Sequence, residues 1–486
     1  MFMRYASPNE RRTISREDLG YYNALVIGAI YEVEDIDITS PQSFIAPLKT
    51  CILEYPFLSV VVKDAHTEKP AYEGVLTVNL EDHISIIPDS SDHGNEAAVL
   101  EQVLPPILDR PWPAEIPPWR IVVLPLPSQK DTSSSATRCF IAFAFSHTLG
   151  DGMVGLAFHR TFLNTWRTPT TPDNSFSITP PTTRTLPPPF DTPTRLPISW
   201  KFLLSPLISV YLPKFLANLL GLRVGASTVD AGTWTGSPIF YNQPTPSTQV
   251  SKVRLIEIPS PQVQTALQAS RSHDAKLTST LHQLIIRALS IAVPNSDVTN
   301  FVSGTAVDMR ASIGTPGYTW GLFVSGHYDV HPRIDVDVTE SASSVLTEDN
   351  WISARSITRS LAECGARLHD QAIGLLRYAP SIRNWTSSKI GTRRDCSYEV
   401  SNLLAFDGGH EMDGGSGCKI EKMVFVQPGN VLSAPVVFNV VSVRGGELVI
   451  AVSWQVGALG VEGGVIEEER VVERICELVK KGVEDL

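Results

Sequence analysis

Large and small side chains alternate along residues 138–146, with Ile141, Phe143 and Phe145 set against Ala142, Ala144 and Ser146. That alternation predicts a buried strand. His147 extends its large-residue face, the chain turns at Gly150-Asp151-Gly152, and from Met153 through Phe162 and Leu163 the apolar positions take helix-like spacing. Residues 16–31 open with Glu17 and Asp18, acids suited to a first helical turn, and then become apolar, so a helix is expected there. Residues 42–54 carry Phe44, Ile45, Leu48, Ile52 and Leu53 at helical spacing, and Pro47 either kinks this helix or marks its first turn. Tyr55-Pro56 ends it, and residues 57–62 read as a strand.

The second half repeats such elements. Strands are expected at 253–258, at 301–310 ending in Asp308-Met309-Arg310, and at 398–407. A helix over 278–289 is expected to be capped by Thr or Ser, a hairpin runs from 438 to 454 about Gly445-Gly446, and an amphipathic helix closes the chain from 467 to 486. His282 on the middle helix reads as a packing or surface histidine, since nothing near it in sequence orients it.

Between the halves the pattern breaks. From residue 167 to 197 prolines alternate with Thr and Ser, which reads as an exposed linker. The apolar run at 200–220 is interrupted by Pro206, Pro213 and Lys214, too broken for the ~20 apolar residues of a spanning helix. Three readings stay open for it: helices packed on the body, a cover over an entrance, or an interfacial anchor making peripheral membrane contact. Gly408-Gly409 and Gly414-Gly415 bracket an expected mobile loop.

The 486 residues allow two sizeable cores. A net charge of -11 with no Lys/Arg-rich run argues against nucleic acid as a partner. The six cysteines form no CxxC pair, which disfavours a zinc site or a disulfide framework and suits a reducing, cytoplasmic compartment. No signal peptide is apparent at the N-terminus, so the Asn384-Trp385-Thr386 sequon carries no weight.

The candidate chemistry centres on His147. Asp151 reads either as the N-cap of the following helix beside a core histidine, or as the brace of a turn that presents His147 as a general base. His147-Thr148-Leu149-Gly150-Asp151-Gly152 resembles the HxxxDG signature of the acyl-CoA-dependent acyltransferases related to chloramphenicol acetyltransferase. The helix–Pro–strand order, Asn9-Glu10-Arg11-Arg12 and residues 117–123 resemble that superfamily's fungal alcohol O-acetyltransferase branch.

The resemblance implies an α/β fold of two chloramphenicol acetyltransferase-like subdomains. Mixed sheets flanked by helices would enclose a tunnel at their interface. It places the halves at residues 1–168 and 234–486, with 169–233 as linker and apolar segment. It further implies transfer from acetyl-CoA or another acyl-CoA, without metal, to a hydroxyl of a small hydrophobic alcohol by a monomeric enzyme. His147 would be the base, with Gly152 in the signature turn. Arg310 is either the partner of Asp151 or a surface arginine. Asn402 and Ser401 are candidates near the reaction centre, and Tyr22, Tyr318 and Trp320 for the substrate; for Tyr22 and for Trp119 plain core packing is the alternative.

Ser146 stands where peptide-forming relatives carry a second histidine, and the DFGWG box of the plant branch is absent. No GxSxG, HExxH or P-loop occurs. A cyclase-like enzyme reusing the chamber, or a non-catalytic binding protein, stays open on fold grounds alone.

Overall fold

Two mixed sheets carry the chain in a computed structural model that describes residues 1–88, 95–127, 136–168, 174–204, 229–245, 249–293, 295, 297–335, 345–408 and 417–486. A small sheet at one edge joins β1 (Phe2–Tyr5), β4 (Ala71–Gly74) and β3 (Val60–Lys63). The first large sheet has the order β14-β2-β8-β7-β6, with β2 at Leu25–Val33, β6 at Ile84–Ile86, β7 at Trp119–Leu126, β8 at Thr137–Phe145 and β14 at Cys418–Val426. The second has the order β10-β16-β15-β13-β11-β12, with β10 at Ser251–Ile258, β11 at Asn300–Asp308, β12 at Val324–Pro332, β13 at Tyr398–Phe406, β15 at Val436–Val443 and β16 at Leu448–Gln455. β5 (Val78–Asn79) and β9 (Ser177–Ile178) form a two-stranded patch. Because β14 comes from late in the chain and lies in the first sheet, the two sheets do not divide the sequence at one point.

β8 shows why the alternation matters. Ile141, Phe143 and Phe145 pack into one core with Phe158 and Phe162 of α4 (Gly152–Arg167) and Leu48 and Ile52 of α2 (Ile45–Glu54). Phe140, Ala142 and Ala144 face the other way, against Leu100, Leu104 and Leu108 of α3 (Glu96–Asp109) and against Val449 and Ala451 of the second sheet. The small side chains let the two sheets approach. A third core lies on the far face of the second sheet under the helices Leu277–Ala292 and Val465–Glu484.

Several expectations need correcting. The helix at 16–31 is instead α1 (Pro8–Asp18) followed by the strand β2. β2 is buried on both faces between β14 and β8 from Leu25 to Tyr31, so that stretch carries no charged side chain and shows no period that separates strand from helix. Residues 57–62 are split: Pro56–Ser59 is a single 3-10 turn, stabilised by Ser59 Oγ donating to the Pro56 carbonyl at 3.0 Å, and the strand begins at Val60. Pro47 sits in the first turn of α2, where it costs no hydrogen bond. The helix Leu277–Ala292 is capped at Lys276, not at Thr or Ser.

The proline-rich segment is no free linker. Phe190 and Leu196 are buried with Met309 and Phe323, Asp191 accepts from Asn9 N at 2.8 Å, and Arg184 donates to the Leu53 carbonyl at 2.7 Å. Its prolines keep it extended while its few large residues dock as a strap. Most of the run at 200–220, and most of the loop bracketed by glycines at 408–415, lie outside the described residues. Among the described residues no helix is long and apolar enough to cross a membrane.

Gly155 marks how closely α4 crosses β2, since a Cβ there would meet Ile27 Cγ1 at 2.0 Å. Alanine gains about 1 kcal/mol of helix propensity over glycine, but overpacking a core costs about 1–3 kcal/mol, and the contact falls on a stiff β-branched side chain of a central strand. Gly155→Ala is therefore expected to lower the chemical-denaturation midpoint; an unchanged or raised midpoint would refute this packing account.

Candidate active site

The turn after β8 is held from every side. Ser146 N donates to the Pro118 carbonyl at 2.8 Å, Leu149 N to the Ser146 carbonyl at 3.0 Å, the Tyr72 hydroxyl to the Thr148 carbonyl at 2.7 Å and Trp320 Nε1 to the Leu149 carbonyl at 2.7 Å. Gly150 is required by close approach: a Cβ would meet Val154 at 2.6 Å and the Gly321 carbonyl at 3.2 Å.

Within this turn His147 Nδ1 lies 2.8 Å from the Gly150 carbonyl. A carbonyl only accepts, so Nδ1 carries the proton and Nε2 keeps its lone pair. The ring stays partly accessible and lines a cavity of about 300 Å³ between the sheets. Burial, and next the nearby Arg12, lower its pKa to about 4, against the opposing pull of the Gly150 carbonyl. The imidazole is therefore neutral at physiological pH.

Asp151 is bound from both halves. Its Oδ1 accepts from Arg310 Nη2 at 2.8 Å and from Met153 N at 3.1 Å, and its Oδ2 accepts from Phe323 N at 2.8 Å. Both side chains of the ion pair are 1% exposed. Arg310 also donates to the Thr319 carbonyl through Nε and Nη2, each at 3.0 Å, and to Asp308 through Nη1 at 2.9 Å. Burial alone would lower its pKa, but Asp151 and Asp308 outweigh that and raise it. The pair spans 159 residues of sequence and ties the start of α4 to the end of β11.

The other candidates separate. Gly152 lines the cavity, and a Cβ there would meet Leu403 Cδ2 at 2.6 Å, so glycine lets β13 approach α4. Ser401 lines the cavity with no hydrogen-bond partner for its hydroxyl among the described residues. Asn402 also borders it, but its Nδ2 donates to Thr278 Oγ1 at 3.0 Å and its Oδ1 accepts from Leu404 N at 2.7 Å. That amide holds the bulge in which Leu404 takes φ 63°, a left-handed conformation uncommon for leucine.

Tyr22 is buried, 5.5 Å ring to ring from His147, and its hydroxyl donates to Gln427 Oε1 at 2.9 Å, so it braces the imidazole. Trp320 packs against Tyr55 beneath the turn, and the Tyr318 ring lies under Arg160 at 4.2 Å. Neither is among the side chains that line this cavity. Trp119 is buried with its Nε1 on the Leu58 carbonyl. His282 is packed between the Tyr398 hydroxyl at 2.9 Å and Thr305 Oγ1 at 3.1 Å. Among the described residues no three His, Cys, Asp or Glu side chains cluster as a metal site.

Arg12, Arg16, Glu399, Gln427 and Asn430 stand in the polar wall of the same cavity, and the sequence assigned none of them to the site, although Arg12 lies in the Asn9-Glu10-Arg11-Arg12 stretch. Ser7-Pro8-Asn9-Glu10 could have located α1 and with it both arginines: Ser7 Oγ accepts from Glu10 N, the Glu10 carboxylate accepts from Ser7 N at 2.8 Å, and proline occupies the first turn.

Two sheets meeting over a histidine-bearing turn place the chain in the chloramphenicol acetyltransferase-like, condensation-type fold. It superposes on the TRI3 trichothecene 15-O-acetyltransferase of Fusarium sporotrichioides with a TM-score of 0.66 at 12% identity, covering 100% of this chain and 98% of the other. It superposes on the first condensation domain of the CDA synthetase with a TM-score of 0.57 at 12% identity, covering 100% and 98%. The alcohol acetyltransferase family profile matches residues 89–481, and the chain belongs to that family. Two fungal relatives are "Probable alcohol acetyltransferase FCK4" of Fusarium pseudograminearum and "Probable alcohol acetyltransferase crmB" of Aspergillus fumigatus. Each is 23% identical, over 84% and 93% of this chain and 80% and 94% of theirs. The protein is an acyltransferase.

Removing one partner of the buried ion pair strands the other, at a cost of about 3–5 kcal/mol. Asp151→Ala is expected to lose stability on that scale in denaturant unfolding, and Asp151→Ala combined with Arg310→Met to recover part of it. A double variant no more stable than the single one would show that the pair does not carry this energy.

Proposed function

We propose that the protein transfers an acetyl group from acetyl-CoA to the hydroxyl of a small-molecule alcohol, with His147 as general base in a direct ternary complex. The observation that carries this reading is the state of His147, whose Nδ1 is committed to the Gly150 carbonyl while the neutral ring borders the cavity.

Nε2 takes the alcohol proton as the oxygen attacks the thioester carbonyl. The tetrahedral intermediate collapses with breakage of the C–S bond, and the departing thiolate takes the proton back from the imidazolium. The products are an ester and CoA thiol, and no acyl-enzyme forms. A positioned base of this kind contributes about 100- to 10,000-fold, and alignment of the two substrates between the halves supplies further rate. The Ser401 hydroxyl is the donor assigned to the oxyanion. Asp151 does not touch the substrate; with Arg310 it holds the turn that aims His147.

His147→Ala is expected to keep the wild-type circular dichroism spectrum and lose at least 100-fold in thiol release from acetyl-CoA with a panel of alcohols. Release at the wild-type rate by the folded variant would end the base assignment. The pH profile adds a second check. A base with a pKa of about 4 is already free well below neutrality, so kcat/KM should stay flat from pH 8 down to about 5.5, where an ordinary histidine of pKa about 6.5 would be mostly protonated. A midpoint near 6.5 would contradict the depressed pKa.

A further inference from the structure

α1 carries Arg12 and Arg16 four residues apart, so both side chains leave the helix on one side, and both line the cavity that His147 borders. They are not equivalent. Arg16 donates through Nη2 to Asn430 Oδ1 at 3.2 Å and lies 5.6 Å from the centre of the Tyr22 ring. Arg12 donates through Nε to Asn9 Oδ1 at 3.3 Å, and its two η nitrogens meet no acceptor among the described residues.

The other charges around the cavity are engaged. Asp308 pairs with Arg310 and Asp395 with Lys389, while Glu399 accepts from Asn430 Nδ2 at 3.2 Å and from the Ser433 hydroxyl. Arg16 is held by Asn430, and Glu399 by Asn430 and Ser433, so among the described residues the η nitrogens of Arg12 are the donors of this wall left without an acceptor. A half-buried guanidinium whose η nitrogens meet no acceptor is costly. Its planar fork matches a carboxylate through two parallel hydrogen bonds.

Resting on the acyl-transfer reading, we propose that Arg12 is a specificity-determining residue whose η nitrogens take the carboxylate of an acceptor bearing both an acid and a hydroxyl group, setting that hydroxyl against His147. The other anionic oxygens that could meet this fork are the phosphates of the acyl donor, and the test separates the two sources.

The probes are 6-hydroxyhexanoate, 10-hydroxydecanoate and 4-(hydroxymethyl)benzoate, each beside its methyl ester. The full chain is used as wild type, Arg12→Lys and Arg12→Gln, with melting temperature as the folding control. Calorimetric binding of each probe and thiol release from acetyl-CoA are read separately. The expected result is at least a tenfold preference for an acid over its ester in wild type, partly kept by Arg12→Lys and lost in Arg12→Gln.

Equal binding and turnover of acid and ester in every pair would overturn the proposal, as would a preference that survives Arg12→Gln. So would a tenfold rise in KM for acetyl-CoA in Arg12→Gln without any acid preference in wild type, which would give the fork to the donor's phosphates. Arg12-dependent binding of the acids with no thiol release would leave the carboxylate assignment standing and remove instead the proposed acetyl transfer from acetyl-CoA to that hydroxyl.

Discussion

The salt bridge between Asp151 and Arg310 is the constraint on which the site depends. Each residue stands at the end of a strand run, Asp151 after β8 in the first sheet and Arg310 after β11 in the second, and the two carry 1% exposure. Removing two charges from water is expensive, and a buried pair is weak evidence for net stability. Its use here is geometric. Asp151 takes Phe323 N as well as the guanidinium from the other half, while Arg310 is fixed within its own half by the Thr319 carbonyl and Asp308, so the carboxylate is satisfied only when the two sheets sit in one relation. That relation creates the cavity and points His147 at it.

A base at this position needs two conditions that ordinarily conflict. Burial keeps the imidazole neutral, yet a sealed ring reaches no substrate. The turn resolves this by anchoring the inner nitrogen to the Gly150 carbonyl and leaving the ring partly open on the cavity side. Two arginines of α1 add to burial in disfavouring a proton on His147, with Arg12 as the larger charge effect and Arg16 the smaller. Glycines at 150 and 152 allow the crowding, since side chains there would strike Val154 and Leu403.

Much of this frame was legible in residue order. The alternation of β8, the glycine turn, the helix after it and the hairpin about Gly445-Gly446 all have local periods that tertiary packing reinforces. β2 was not legible, because a strand covered on both faces has no polar side to betray its period. Starting the helix at residue 16 misplaced α1, so Arg12, named only within Asn9-Glu10-Arg11-Arg12, and Arg16 were not connected to the cavity wall. Tyr318 and Trp320 follow the arginine in sequence, and their surroundings depend on contacts between the halves that no local period records: Asp151 N donates to the Gly321 carbonyl at 3.2 Å and Trp320 Nε1 to the Leu149 carbonyl at 2.7 Å.

Asp151 also shows that a local and a functional reading of one residue need not compete. Its Oδ1 caps α4 through Met153 N, as its position before an apolar helix suggests, and the same oxygen takes the Arg310 guanidinium while Oδ2 takes Phe323 N. A carboxylate has lone pairs for all three bonds. Asparagine would cap the helix about as well but would bring no charge to the guanidinium. The requirement for aspartate therefore comes from the second sheet, and a rule that looks only along the helix registers the cap without the reason for its charge.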